Sequence, residues 1–289
     1  MGLYCNAEAT GALGGGLGAF DRVIVVDRGG MAEAAHRARA TLAVSDMMVV
    51  PGLRNVARRR VLILRETPED RIPKLALEGG VAWDRIIVPN PANHWIPPRH
   101  AVLSCKVDSV GWIARKTTPR RPDDTPVGVL LATGGGGTPE TRAALYPVLS
   151  RVIRMAQSKV PFRLNQALGP RAAGEALPEA DQLLDPGSRL DALFQRADVV
   201  LSTAGYNSVL ELAGTDTPAL LAAIPRSFDD QQARVRQWGP GLGHGLEPGQ
   251  EQAAADWLAD RVAHPRRRPP VDLGPDGAVR AAELLSMLA

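Results

Sequence analysis

Two glycine-bearing turns carry most of the chemistry that can be read from this sequence. The first is Gly134 to Gly137 with Thr138, in VGVLLATGGGGTPE, and the second is Ala204, Gly205, Asn207 and Ser208, in ADVVLSTAGYNSVLELAG. Each follows a short apolar run and precedes apolar residues at helical spacing, the pattern of strand, tight turn and helix. Small residues let the backbone approach a ligand closely, and the first N–H groups of a helix have no partner within it. Both turns can therefore hold an anion. At the first, Thr138 is a natural N-cap and Pro139 suits the first helical position. The lysine and Ser/Thr of a Walker loop are absent, which argues against an ATP-hydrolysing P-loop. At the second, Asn207 and Ser208 are good N-cap residues. Ser208 and Glu211 also make an S-x-x-E capping box, which accounts for both with no ligand at all.

Other residues could supply acid–base chemistry. Asp27 follows the apolar run RVIVV, where an acidic side chain faces the crevice at a strand's carboxyl end or simply caps a helix. His94 lies in the proline-rich stretch NPANHWIPPRH, read as a surface loop, either as a general base or as a solvated histidine. Five glycines between Gly11 and Gly18 preclude regular structure and leave three readings: a phosphate or substrate loop, a flexible lead-in, or the remnant of a shortened domain. Ala19 stands where a dinucleotide fingerprint has its third glycine, and no clear strand precedes the stretch. Cys5 and Cys105 have neither disulfide nor zinc-ligand spacing, so no metal is expected.

The elements that position these residues alternate throughout. In the first half, strands are expected at Arg22 to Val26, Met47 to Val50, Val61 to Leu64, Arg85 to Val88 and Lys106 to Ile113, with helices near 31–42 and 71–77. A polar, proline-rich linker, KTTPRRPDDTP, runs from Lys116 to Pro126. It divides an amino-terminal domain of residues 1–118 from a carboxyl-terminal domain of residues 126–289. The second half repeats strand and helix from Val127 to Ala223 and ends in helical patterns at 251–262 and 277–288. The expected fold class is α/β, with two Rossmann-like domains.

The chain has 289 residues, 45% hydrophobic and 22% charged, with a formal net charge of +3, the balance of a globular protein large enough for two cores. No apolar run approaches the ~20 residues that cross a bilayer, and a cytoplasmic location is expected. Arginine clusters at 58–60, 120–121 and 266–268 lack interleaved aromatics, so they read as solvated surface rather than a nucleic-acid face. Weak contact with anionic lipid stays open.

Taken together, the GGGG run, ADVVLSTAGYNSVLELAG, the TPALL strand and the DDQQ loop resemble the carboxyl-terminal domain of GT-B glycosyltransferases. The resemblance is to the group that contains the lipid-linked N-acetylglucosaminyltransferase of peptidoglycan synthesis, and it covers Val127 to Trp238. It implies that Gly134, Gly135, Gly136, Gly137, Thr138, Ala204, Gly205, Asn207 and Ser208 hold a nucleoside diphosphate, most commonly uridine diphosphate. It further implies that Glu211 binds the ribose, that backbone around Gly187 reads the base, and that Asp229, Gln231 and Gln232 meet the sugar. Arg226 stands beside that loop, as a charge-assisted contact or as a solvated arginine. A metal-independent, inverting transfer follows, with the acceptor hydroxyl deprotonated from the first domain. Over the first half the pattern departs. The family's early glycine-loop histidine is missing and the domain reads as shortened, so Asp27 and Glu66, with His94 behind them, stand as substitute bases.

The leading expectation is a glycosyltransferase without cofactor, taking a nucleotide-sugar donor and a small-molecule or lipid-linked acceptor. Two alternatives stay open: a nucleotide-sugar hydrolase on the same scaffold, and a non-catalytic donor-binding subunit that works with a partner chain or as a homo-oligomer.

Overall fold

The computed structural model describes residues 2–5, 18–25, 30–37, 39–48, 57–77, 83–103, 105–117, 120, 125–133, 139–168, 176–187 and 189–289. They fall into two units. One comprises Met1–Ala114, Ser227–Asp230 and Leu273–Ala289, and the other Arg115–Arg226 and Gln231–Asp272. The carboxyl-terminal residues and a short internal segment thus belong with the first half, where the sequence alone suggested one division in the linker.

In the first unit, β1 (Gly2–Cys5) pairs in parallel with β2 (Arg22–Val25). A strand therefore does precede the glycine-rich stretch, contrary to expectation; four residues are too few for a period-two pattern to declare itself. A second sheet runs β3 (Leu42–Asp46), β4 (Arg59–Ile63), β5 (Arg85–Val88), β6 (Lys106–Ser109) in that order, all parallel. β3 lies ahead of the expected Met47 to Val50, because Met47 takes a left-handed φ of 51° and leaves the strand. Val49 and Val50 lie outside the described residues.

Alternation along the central strands gives this sheet two apolar faces. Leu62, Leu64, Ile86 and Val88 pack with Ile72, Leu75, Ala76, Ala101 and Val102 from the short helices Ile72–Ala76 and Arg99–Val102. Val61 and Ile87 point the other way and meet Ala281, Leu284 and Leu285 of the helix Gly277–Ser286. A parallel sheet needs cover on both sides, and the last helix of the chain supplies one of them. Its entry is tight: the Gly277 N–H donates to Trp112 O at 2.9 Å, and a Cβ on Gly277 would lie 2.3 Å from Gly111 O.

In the second unit the strands are β7 (Gly128–Ala132), β8 (Leu164–Ala167), β9 (Gln182–Leu184), β10 (Ala197–Thr203), β11 (Ala219–Ala222) and β12 (Gly243–Leu246). They form one six-stranded sheet in the order β12-β11-β10-β7-β8-β9, every neighbouring pair parallel. Val129, Leu131, Val199, Leu201 and Leu220 bury one face against the helices Pro139–Gln157 and Glu251–Ala263. The alternate residues Leu130, Val200 and Leu221 are buried as well, so both faces are covered. β12, with the sequence GHGL, has no apolar run to announce it. It is a strand because Gly243, at φ 145°, lets it close on β11: a Cβ there would lie 2.7 Å from Ala219 O.

Of the three arginines at 266–268, Arg268 is half-buried rather than solvated as expected, and the exposed Arg267 is nonetheless bonded to the protein. Arg267 Nη1 donates to Thr217 Oγ1 at 2.8 Å, and Arg268 Nε donates to Thr217 O at 3.1 Å and Nη2 to Leu212 O. They strap residues 265–271 across the carboxyl end of the helix Tyr206–Ala213, where a cation complements the helix dipole. Burial lowers the Arg268 pKa to about 10. Among the described residues no helix is long and apolar enough to cross a membrane.

Gly277→Ala must push backbone against backbone and is expected to cost about 1–3 kcal/mol, the range for overpacking. Gly241→Ala, in a helix with nothing among the described residues within 4 Å of the added carbon, is expected to stay within about 1 kcal/mol of the native chain. Thermal melts of the two variants check the contrast.

Candidate functional site

Strand order fixes where the two glycine-bearing turns emerge. Counting from β7, the sheet of the second unit reads 3-2-1-4-5-6, and its reversal falls between β7 and β10. Open α/β sheets bind their ligands at this switch point, outside the carboxyl ends of the strands. β7 and β10 are direct neighbours, with Ala132 opposite Ser202, so the chain leaves both strands side by side at one edge. Gly134, Gly135, Gly136, Gly137 and Thr138 follow β7 immediately but lie outside the described residues.

The turn after β10 is held from two sides. The Ala204 N–H donates to Ala222 O at 2.8 Å, and Arg234 Nη1 donates to Ala204 O at 2.6 Å. Arg234 is buried on the helix Gln231–Leu242, its guanidinium 5.9 Å from the Tyr206 ring centroid. The helix Tyr206–Ala213 starts at Gly205, and no side chain caps it. This corrects the expectation that Asn207 or Ser208 is the N-cap: they are the second and third helical residues. The capping box of Ser208 and Glu211 is consequently not formed, since it needs the serine at the cap. The first intrahelical bond is Val209 N–H to Gly205 O at 3.0 Å. The amides of Asn207 and Ser208 come before it, with no acceptor inside the helix. Among the described residues a Cβ on Gly205 would touch only Ser208 Oγ, at 3.9 Å, so their packing does not demand the glycine.

Glu211 follows on the same helix and is buried. Its burial raises the carboxyl pKa; Arg115 pulls it down, Asp191 pushes it up and Arg189 pulls it down. Asp191 is fully buried at the start of the helix Leu190–Arg196 and takes a bidentate pair from Arg189, Nε to Oδ1 at 3.0 Å and Nη2 to Oδ2 at 2.9 Å. Just before it, Gly187 sits in an exposed turn at φ 52°, its N–H donating to Asp185 Oδ1 at 2.8 Å.

The loop expected to meet the sugar is divided between the units. Arg226 is exposed at the end of one segment of the second unit. Asp229 belongs to the first unit with Phe228 and Asp230, while Gln231 and Gln232 open a helix of the second. The buried Gln231 accepts the Ile224 N–H at 3.1 Å, and the Gln232 amide donates to Glu247 Oε2 at 2.6 Å.

In the first unit, two of the three candidate bases meet. Glu66 follows β4, and His94 lies in a turn after β5, its neighbour in the sheet, so both arise at the same carboxyl edge. His94 Nε2 lies 2.8 Å from Glu66 Oε1, with both side chains under a tenth exposed. Trp112, beyond β6, sets its ring edge-on to the imidazole at 4.3 Å between centroids. His94 is therefore not the solvated loop histidine that the prolines suggested. The fully buried Asn90 shapes the turn by donating to Trp95 O at 2.7 Å and Pro91 O at 2.9 Å. Asp27 lies outside the described residues. Among the described residues, no cluster of three or more histidine, cysteine or carboxylate side chains could hold a metal.

Sequence reasoning missed Arg234, Asp191, Arg115 and Asn90. Of these Asn90 carried a signal, the N-P dipeptide of a turn, whereas Arg234 and Arg115 acquire their roles from neighbours distant in the chain.

No family model matches the chain. Its sequence is similar to two proteins named UDP-N-acetylglucosamine--N-acetylmuramyl-(pentapeptide) pyrophosphoryl-undecaprenol N-acetylglucosamine transferase. With that of Synechococcus sp. (strain RCC307) it shares 36% identity over 90 residues, 28% of this chain and 24% of the relative. With that of Albidiferax ferrireducens it shares 27% over 163 residues, 44% of this chain and 42% of the relative. The matches thus take in less than half the length of either relative. Among solved structures, the spinosyn forosaminyltransferase aligns with 99% of this chain and 91% of its own at a TM-score of 0.55 and 13% identity. The calicheamicin glycosyltransferase aligns with 99% and 90% at 0.52 and 14%. A Listeria monocytogenes protein assigned as a UDP-N-acetylglucosamine 2-epimerase aligns with 93% and 82% at 0.54 and 10%. The fold is that of GT-B glycosyltransferases, and the chain resembles the peptidoglycan N-acetylglucosaminyltransferases in sequence.

Because the folded pKa of Glu211 lies above its unfolded value, the native state loses stability as pH rises from the ordinary glutamate range, about 4.3, through the raised value. Glu211→Gln removes that titration. The melting temperature of the variant relative to the native chain should stay flat below pH ~4 and climb above it.

Proposed function

We propose that this chain is a glycosyltransferase that moves a sugar from a nucleoside diphosphate, with uridine diphosphate as the expected nucleotide, to an acceptor hydroxyl. One observation carries the reading. The glycine run and the uncapped helix at Gly205 follow adjacent parallel strands at the switch point of a 3-2-1-4-5-6 sheet, with a buried carboxylate on that same helix. The names of the sequence relatives support a UDP-N-acetylglucosamine donor and a lipid-linked acceptor. A cytoplasmic enzyme that touches the membrane only peripherally suits such an acceptor.

In this mechanism the bond between the anomeric carbon and the diphosphate oxygen breaks, and its electron pair leaves with the nucleotide. Amides at Asn207 and Ser208 and the positive end of the helix dipole stabilise the departing charge, with the glycine run Gly134 to Gly137 as the second cradle. Glu211 accepts hydrogen bonds from the ribose, and Asp229 faces the sugar. The acceptor oxygen attacks the anomeric carbon from the opposite side, which inverts it, and its proton passes to the Glu66–His94 pair. Nε2 faces Glu66, whose carboxylate stabilises the imidazolium that forms. The charge is met by protein dipoles, so turnover in a chelator is expected to match that without one.

A nucleotide-sugar hydrolase is the second reading, in which water takes the acceptor's place on the same scaffold. Release of free sugar in the absence of any acceptor would select it.

The test is a thermal-shift panel of nucleoside diphosphates. A ligand that binds only the folded chain stabilises it by about 2.7 kcal/mol at a hundredfold excess over Kd. Uridine diphosphate should give the largest shift and Glu211→Ala should reduce it; equal shifts for all nucleotides, or none, would overturn the proposal.

A further inference from the structure

Glu66 takes part in two contacts at once. Its side chain holds His94, while its backbone carbonyl accepts the N–H of Asp230 at 3.2 Å. The next residue, Thr67, is buried, and its hydroxyl lies 2.9 Å from Arg65 O and 3.1 Å from Phe228 O, so one proton serves or is shared between the two carbonyls. Phe228 packs against the apolar cluster of Leu62, Leu64 and Ile72, which Trp95 also joins from the residue after His94. All of these residues belong to the first unit.

Asp229 is therefore bracketed. The residue before it is anchored by its ring on the apolar cluster and by its carbonyl on Thr67, and the residue after it by its amide on Glu66. We infer that Thr67 and Phe228 are positioning residues that lock the sugar-facing segment Ser227–Asp230 onto the Glu66–His94 pair, so that sugar contact and proton acceptor hold one fixed geometry. This rests on the functional reading above and adds to it that Asp229 and His94 are set by the same short stretch of chain. A small displacement of reacting groups costs far more in rate than in binding, so the lock should act on turnover. The nucleotide, held by the second unit, should be indifferent to it.

Thr67→Val keeps the shape of the side chain and removes the hydroxyl, whereas Thr67→Ser keeps the hydroxyl. Three measurements on the full chain decide the matter: hydrogen exchange over 227–230, calorimetric affinity for uridine diphosphate, and the rate of uridine diphosphate release from UDP-N-acetylglucosamine. Thr67→Val and, more strongly, Phe228→Leu should speed exchange and cut the maximal rate about five- to tenfold, the scale of one lost hydrogen bond, with affinity unchanged within about twofold. Thr67→Ser should restore the rate. Unchanged exchange, faster exchange with an unchanged rate, or a parallel loss of nucleotide affinity would overturn the inference while the functional reading stands. A native chain that binds no nucleoside diphosphate would overturn both.

Discussion

The pairing of β7 with β10 is the constraint on which the proposed chemistry depends. Parallel strands place their carboxyl ends at one edge, and with no strand between them the last paired residues, Ala132 and Ser202, stand opposite each other although seventy residues of sequence separate them. Hydrogen bonds of a central ladder, buried under helices on both faces, make the arrangement stiff. The Arg234 contact to Ala204 extends that stiffness one residue past the end of the strand, to the threshold of the helix.

The first unit repeats the logic with different chemistry. Glu66, His94 and Trp112 arise from the ends of three consecutive neighbours in one parallel sheet, so register rather than loop length sets their spacing. Burial then defines how the pair behaves. In a medium of low polarity the carboxylate and the imidazole interact more strongly than in water, and the edge-on indole limits the orientations the ring can take. In the proposed mechanism the donor side relies on backbone dipoles, and the acceptor side on a pair of titratable groups.

Much of this was legible in the residues. Strands such as Arg85–Val88 and Gln182–Leu184 and the helix Pro139–Gln157 were foreseen at their boundaries, because apolar period and Thr-Pro-Glu capping chemistry are local signals. What escaped depends on contacts far along the chain. β12 is a strand only because two glycines let it close on its neighbours, and β1 is too short to show a period. His94 reads as solvated among prolines until the sheet sets Glu66 beside it, and Phe228 reads as an ordinary loop residue until it finds a core over 160 positions upstream. The arginines at 267 and 268 look like surface charge, yet Arg267 bonds the Thr217 hydroxyl and Arg268 bonds backbone carbonyls at a helix end. The helix N-cap was misplaced by two or three residues because Asn and Ser favour caps, whereas here Gly205 takes that position and has no side chain to cap the helix.

The helix Gly277–Ser286 carries a consequence for how the protein is made. It seals the face of the first sheet formed by Val61, Ile87 and Val110, yet the ribosome produces it after every residue of the second unit. Until that helix is made, the earlier half carries an apolar face without its cover and cannot complete its core as soon as it leaves the exit tunnel, so this connectivity opposes strict domain-by-domain folding during synthesis.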